Sequence, residues 1–364
     1  MITMNDNTIF IQIASYRDPE LIPTIRDCIS NADFPENLKF CICWQKSEDE
    51  ILDLYLKDPR FIILSIPYKE TKGCCWARNK IQQFYNGEKY TLQLDSHHRF
   101  IKGWDTILID MLNVLQEKGN KKPIITAYVP SYNPENDPQE RVLVPWKINF
   151  DKITEDGQIL FRPSVMNVCE EPMPAKFYSA HFAFTIGEFC KEVQHDPELY
   201  FTGEEMNITI RAFTHGYNLF HPNIVIVWHE YTRKNRVKHW DDDKEWWKKD
   251  VYSKKHYLNL FKNIEQMSDR YGLGKERSLQ EYIDYSNIDL IDIYNIKNEK
   301  NTKNETNLIN TNIVNIYKQI DESWEKWIQE NIQLGVDTNK IKDILLNANF
   351  DPEHVNMRLN IINI

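Results

Sequence analysis

The sequence predicts an α/β protein, a Rossmann-like, mainly parallel sheet flanked by helices, with a helical extension at the C-terminal end. Short apolar runs alternate with amphipathic segments through the first 130 residues, the pattern of strands joined by covering helices. Several apolar runs stop abruptly on charged or imidazole residues. From Asp241 onward strand patterns cease and charged helical ones take over.

The elements follow in order. "TIFIQIAS" (8–15) is the first strand, and a helix follows over 18–32 with Asp18 as its cap and Pro19 in its first position. "LKFCICWQ" (38–45) predicts a strand, "SEDEILDLYLK" (47–57) a helix opened by a serine with acids in its first turn, and "FIILSIP" (61–67) a third strand. A helix over 74–86 and the strand "YTLQL" (90–94) come next. An amphipathic helix over 103–119 and a strand over 123–129 precede the polar loop "PSYNPENDPQER". Prolines 145, 163, 172 and 174 break 141–178 into short strands, of the kind that wall a substrate site over a rigid sheet. Strand character returns over 178–189, "HDPELYF" (195–201) reads as an exposed loop, and a helix over 203–217 leads to a strand over 223–233. A charged helix spans 240–264, an Asn/Lys/Thr-rich solvated linker 295–312, and the tail 313–364 holds two or three short helices, one capped by Asp351.

Bulk properties exclude several classes. With 364 residues and 41% hydrophobic content the chain can bury a sizeable core, so it is not a disordered protein. A net charge of −10 offers no basic face for a polyanion, which argues against nucleic acid as the main partner. No apolar run approaches a membrane span, and Met1 to Asn7 lacks the layout of a secretory signal, so the expected location is the cytoplasm. The seven cysteines lack paired zinc spacing and read as reduced, buried thiols; Cys41 and Cys43 share one face of their strand.

The stretch "YTLQLDSHHRFIKGWD" (90–105) ends a buried strand on an acid and an imidazole. In an open parallel sheet ligands gather beyond the carboxyl ends of the strands. Asp95 and His97, two residues apart, can point the same way and offer an oxygen and a nitrogen to a divalent cation. Alone the triplet is a weak signal, and chance with strand-end capping explains most instances. His229, ending "IVIVWH", adds a second strand-end imidazole, while Glu204 and Glu205 open a helix, where acids also simply favour the helix dipole. Together Asp95, His97 and His229 leave open positions on an octahedral ion for diphosphate oxygens, and manganese suits them better than zinc because no thiolate takes part. The chain has no Gly-rich phosphate loop, so a nucleotide held here needs a cation to neutralise its phosphates.

"IQIASYRDPEL", "CWARNKIQQFYNGEKYTLQLDSHHRFIKGWD", "FTGEEMNITIRAFTHGYNLFHP" and "VWHEY" resemble the blocks of the GlcNAc-transferase family typified by the cytoplasmic enzyme that modifies hydroxyproline on Skp1. The likeness spans about residues 8–262 and does not reach the tail. It implies a retaining, metal-dependent glycosyltransferase of the GT-A fold, with Mn2+ or Mg2+ and a UDP-GlcNAc donor. By position, Asp95 and His97 match the metal motif in an Asp-x-His form, and His229 matches the later metal-binding histidine. Glu204 and Glu205 match the acidic pair near donor sugar and acceptor, with Glu205 the stronger candidate for catalysis. Ser15, Tyr16 and Arg17 fall where base and ribose are held, Ser96 lies within the donor-binding motif, and Arg78 lines the donor pocket and stabilises the departing UDP. The expected domains are a GT-A catalytic domain over 1–264, a helical and linker segment over 265–312, and a small helical region over 313–364. The acceptor is expected to be a protein hydroxyl, of hydroxyproline, serine or threonine.

Blander readings accompany several of these residues. Arg78 can serve as a surface ion-pair partner, and His98 is expected to face away from the metal. His181 either touches the acceptor or is a satisfied core histidine, and Trp104 and Trp146 either stack on substrate or pack. Two further functions stay open, the same fold with another UDP-sugar or a glycan acceptor, and an inactive carbohydrate- or protein-binding module on a transferase scaffold. The tail either recognises a partner protein, caps the catalytic domain or pairs two chains as a homodimer.

Overall fold

The computed structural model describes residues 7–48, 52, 55–155, 157–167, 169–234, 236–262, 270–294, 322–333, 336–347, 355 and 359. The chain divides into two compact units, one formed by 1–153 with 158–297 and the other by 154–157 with 298–364.

The first unit is built on strands β1 (Ile9–Tyr16), β2 (Leu38–Lys46), β3 (Phe61–Pro67) and β4 (Tyr90–Asp95), parallel in the order β3-β2-β1-β4. Successive residues of these strands serve opposite faces. Ile9, Ile11 and Ile13 with Phe40 and Ile42 pack toward helices α1 (Leu21–Asn31) and α3 (Trp104–Glu117). Phe10, Cys41 and Cys43 pack instead with Ala77 and Ile81 of helix α2 (Cys74–Gln82). Both faces of β1, β2 and β4 are therefore covered, which is why these strands read as near-continuous apolar runs rather than alternating ones. Each fully buried Ile or Phe here contributes about 1.5–3 kcal/mol of transfer free energy. Burial pushes the Cys43 and Cys190 thiols up to about 12, so neither is a thiolate at neutral pH.

Beyond β4 the sheet continues with β10 (Phe182–Ile186), β6 (Pro123–Thr126), β11 (Asn218–His221) and β9 (Met173–Ala175). Here β10 and β9 run against their neighbours, so the sheet is mainly parallel with two reversed strands. Two small ribbons lie outside it. Strand β5 (His98–Phe100) pairs antiparallel with β12 (Val227–His229), placing His229 opposite His98. Strands β7 (Trp146–Ile153) and β8 (Ile159–Val165) form a hairpin with an irregularity between Phe150 and Lys152. The proline-broken segment is thus a hairpin plus an edge strand, with Pro163 in β8 and Pro174 in β9.

Four local expectations change. Helix α1 starts at Leu21 because the Asp18 carboxylate is drawn elsewhere; its Oδ1 accepts from Glu20 N–H at 2.9 Å and its Oδ2 turns to Ser96 and His97. Within 47–57 the described residues form turns, with Tyr55 N–H donating to Leu52 and Asp58 N–H to Tyr55; residues 49–51, 53 and 54 lie outside the described residues. The charged helix of 240–264 is two pieces, α6 (His239–Asp242) and α7 (Trp246–Lys262), because Asp243 leaves helical geometry and accepts the Glu245 N–H at 2.9 Å. "HDPELYF" is not an exposed loop: His195 and Asp196 are buried, and the Tyr200 carbonyl accepts the Cys74 N–H at 2.9 Å. It follows a short helix, α4 (Phe189–Glu192), and leads into α5 (Glu204–Thr214).

Helices α8 (Leu279–Ser286) and α9 (Leu290–Tyr294) complete the first unit, with Tyr282, Ile283 and Tyr294 packed among Phe213, Tyr257 and Phe261. In the second unit, α10 (Glu322–Gln333) and α11 (Thr338–Asn347) enclose Ile328, Ile341 and Leu345 with Val355 and Leu359. The linker of 295–312 and the Asp351 cap lie outside the described residues.

Candidate active site

The last residue of β4 is Asp95, at the carboxyl end of the sheet beside the last turns of β1. The chain bends at Ser96 and His97 before entering β5, and the pairing of β5 with β12 carries His229 to the same point. Ligand atoms of Asp95, His97 and His229 lie within 4.8 Å of one another. His229 Nε2 is 3.4 Å and His97 Nε2 3.7 Å from Asp95 Oδ2. Burial opposes charge on Asp95, yet the His229 contact and the Arg78 guanidinium hold its carboxyl well below the usual range. Burial keeps His229, His98 and His181 neutral. His98 takes the other side, with Nδ1 3.1 Å from the Asp95 carbonyl.

Asp18 supports His97. Its Oδ2 is 2.7 Å from His97 Nδ1 and accepts the Ser96 hydroxyl at 2.7 Å. A carboxylate on Nδ1 fixes the ring and turns the Nε2 lone pair toward the other ligands, the arrangement found behind metal-binding histidines. Burial works against an ionised Asp18, but His97, Arg236 and Ser96 outweigh it and pull its carboxyl down to about 2.

A second chain of contacts orients Asp95. Gln93 Oε1 meets His195 Nε2 at 2.6 Å, His195 Nδ1 is 2.9 Å from Glu204 Oε1, and Glu204 pairs with Arg78 Nη1. Arg78 Nη2 then reaches Asp95 Oδ1 at 2.6 Å, leaving Oδ2 to face the histidines. Arg78 is only 3% exposed, so both ends of its guanidinium are taken up inside the protein by carboxylates. Glycine at 73, with φ +113°, sets the start of α2 that carries Arg78; a Cβ there would lie 2.5 Å from the Tyr200 carbonyl oxygen.

Glu205 points away from Glu204. Its Oε2 accepts the Tyr128 hydroxyl at 2.5 Å and its Oε1 accepts the Ala180 N–H at 3.0 Å. Burial dominates these two contacts and raises its pKa to about 7. The His181 ring, 5.2 Å from that of Tyr128, has Nε2 satisfied by the Val129 N–H at 3.3 Å. Half-buried Trp146 sits 6.2 Å from Tyr231 at the hairpin side. Trp104 is instead a core residue, fully buried against Phe100 and donating Nε1–H to the Cys28 carbonyl, so it cannot meet a substrate.

At the end of β1, Ser15 Oγ is buried without a partner among the described residues. Tyr16 donates its hydroxyl to Asp242 at 2.8 Å, and Arg17 grips the same carboxylate while its guanidinium lies 4.6 Å over the Tyr68 ring. These three residues form a cluster beside the Asp95 group, walled by α6.

One hard oxygen, two imidazoles and a carboxylate behind one of them form a donor set that fits Mn2+ or Mg2+. Asp18, His195, Tyr128, Asp242 and Arg236 escape a reading of the sequence. Only Asp18 carried a signal, an acid just past a strand end, and helix capping explained it away.

The fold is the GT-A fold. GalNAc-T7, solved with UDP, GalNAc and Mn2+, is similar over 80% of this chain at 14% identity with TM-score 0.53; the chain spans 59% of the length of that one. S. aureus TarS residues 1–349, solved with UDP-GlcNAc, is similar over 79% of this chain and 81% of that one, at 11% identity and TM-score 0.44. No curated protein matches the chain in sequence. Residues 8–59 and 54–292 match the Glycosyltransferase (GlcNAc) family, and the chain belongs to that family.

Proposed function

We propose that the protein moves GlcNAc from UDP-GlcNAc to a hydroxyl of a protein acceptor, of hydroxyproline, serine or threonine, with retention at the anomeric carbon. The observation that carries the reading is the convergence of Asp95, His97 and His229 at the sheet's carboxyl end in a glycosyltransferase family chain. In this reading those three side chains hold Mn2+ or Mg2+, which when bound offsets the charge of the nucleotide diphosphate. Ser15, Tyr16 and Arg17 receive base and ribose, with Ser96 fixing the turn beside them. Arg78 acts as a positioning residue for Asp95 rather than through the phosphates, since its donors already face Glu204 and Asp95.

The acceptor oxygen attacks the anomeric carbon on the face from which UDP departs. The bond from that carbon to the β-phosphate oxygen breaks, its electron pair stays on UDP, and that phosphate takes the acceptor proton. Glu205, held by Tyr128 and Ala180, orients the acceptor hydroxyl or steadies positive character at the sugar. Hydroxyproline, as on the Skp1-modifying member, is the narrowest form of the proposal. The free thiols, such as buried Cys28, Cys75 and Cys190, accord with a cytoplasmic setting.

The test is metal-stimulated hydrolysis of UDP-GlcNAc without acceptor. Mn2+ should raise it, and Asp95→Ala should abolish it while circular dichroism stays unchanged. Full hydrolysis by Asp95→Ala in excess chelator overturns the reading.

A further inference from the structure

Behind the Asp95 group, beyond Arg78, lies a second cluster of ligating atoms. Cys75 Sγ, His195 Nδ1 and a Glu204 carboxylate oxygen all lie within 4.8 Å of one another. They come from three separate elements, Cys75 from α2, His195 from the segment after α4, and Glu204 from the first turn of α5. All three are buried, with exposures of 0%, 0% and 4%.

The tautomer of His195 follows from its neighbours. Gln93 Nε2 donates to the Ala180 carbonyl at 2.7 Å, which turns Gln93 Oε1 toward His195 Nε2 at 2.6 Å. An amide oxygen only accepts, so Nε2 carries the hydrogen. Burial favours the neutral ring, whose Nδ1 is then a lone pair. That nitrogen is 2.9 Å from Glu204 Oε1, yet it has no hydrogen-bond partner among the described residues. Burial opposes charge on Glu204, but the Arg78 guanidinium holds its carboxyl below the usual range. Two buried acceptors facing each other are costly unless a cation joins them. A proton on Nδ1, confined to the ring plane, does not meet that oxygen in hydrogen-bond geometry. An ion bonded to both atoms has no such restriction, and Cys75 supplies it with a soft third donor.

We propose that Cys75, His195 and Glu204 hold a thiophilic divalent ion of the zinc class, in a site separate from the Asp95 group. Thiolate, imidazole and carboxylate together favour zinc over manganese. Arg78 pairs with one oxygen of Glu204, and a carboxylate has enough lone pairs to serve both partners. Burial holds the Cys75 thiol protonated. On binding, its S–H bond breaks, the proton passes to solvent, and the sulfur pair forms the bond to the ion. Gln93 is then the outer hydrogen-bond partner that fixes a metal-bound imidazole. The ion ties α2 to α5 and steadies Glu204, which in turn holds Arg78 against Asp95. The site stands whether or not Asp95, His97 and His229 take an ion of their own.

The experiment is to produce the full chain in zinc-depleted medium supplied with Co2+ and to record its absorption spectrum. A thiolate on Co2+ gives a near-ultraviolet charge-transfer band that the oxygen and nitrogen donors of the Asp95 group cannot supply. The parent should show the band and keep it through dialysis against excess Mn2+. Cys75→Ser should lose it, whereas Cys169→Ser should keep it. Gln93→Met removes the acceptor from Nε2 without altering a ligand, and should bind Co2+ about 10- to 100-fold more weakly in competition with a chromogenic chelator. That variant decides the matter should Cys75→Ser fail to fold. A parent without the band, a band that survives Cys75→Ser or vanishes in Cys169→Ser, or unchanged affinity in Gln93→Met overturns the proposal.

Discussion

Asp18 Oδ2 approaches His97 Nδ1 to 2.7 Å, across 79 residues of sequence, and so an acid from the end of the first strand fixes the ring of a candidate ligand after the fourth. Removing the acid frees the ring to rotate and to change tautomer. Asp18→Asn is expected to weaken Mn2+ binding by about 10- to 100-fold with little change in far-UV circular dichroism. Calorimetric titration of the ion checks this, and an unaltered affinity would assign Asp18 to folding alone.

The buried pair of Arg78 and Glu204 should be costly to break on one side. Arg78→Ala leaves Glu204 buried beside a neutral His195, and should destabilise by about 3–5 kcal/mol. Adding Glu204→Gln to that variant should restore part of the loss. Urea unfolding of the three proteins measures the coupling; additive losses would show that the pair does not act as a unit.

Glu205 predicts a pH dependence whose sign follows from its raised pKa. Its folded value of about 7 exceeds the ordinary 4.5, so between these values the native state holds a proton that the unfolded chain has lost. Stability then falls as pH rises from about 4.5 through about 7, by about 3 kcal/mol. Glu205→Gln should lack that decline, which denaturant midpoints at pH 5 and pH 8 reveal.

Gly73→Ala should destabilise through the backbone. The new Cβ would lie 2.5 Å from the Tyr200 carbonyl oxygen at a φ of +113°. A loss of about 1–3 kcal/mol is expected from strain at such a position. Differential scanning calorimetry should show a lower Tm, whereas Gly119→Ala, with nothing within 4 Å of its Cβ, carries only the strain of its φ of +91°.

For the donor, thermal shift with Mn2+ should be larger for UDP-GlcNAc than for UDP-glucose or UDP-galactose. Stabilisation by either of the latter alone would move the proposal to another sugar.

Much of the architecture was legible because the apolar runs of β1, β2 and β4 are buried on both faces and leave an unmistakable pattern. Strand direction was not: β10 reads like its parallel neighbours, since periodicity carries no sign. The nearness of Asp95, His97 and His229 followed from strand-end positions, which topology gathers at one edge. Asp18, His195 and Arg236 were hidden because their partners lie 79, 9 and 139 residues away respectively, in His97, Glu204 and His97 again. Nothing local distinguishes such an acid from a helix cap, or such a histidine from a loop residue.

The ribbon joining His98 to His229 has a bearing on biogenesis. Asp95 and His229 are separated by 134 positions, and the imidazole arrives only when β12 zips onto β5. A nascent chain can therefore assemble its first four parallel strands long before three donors coexist. For the proposed centre, a divalent ion finds no complete cradle to template during that stage, so its assembly follows, rather than guides, construction of the sheet.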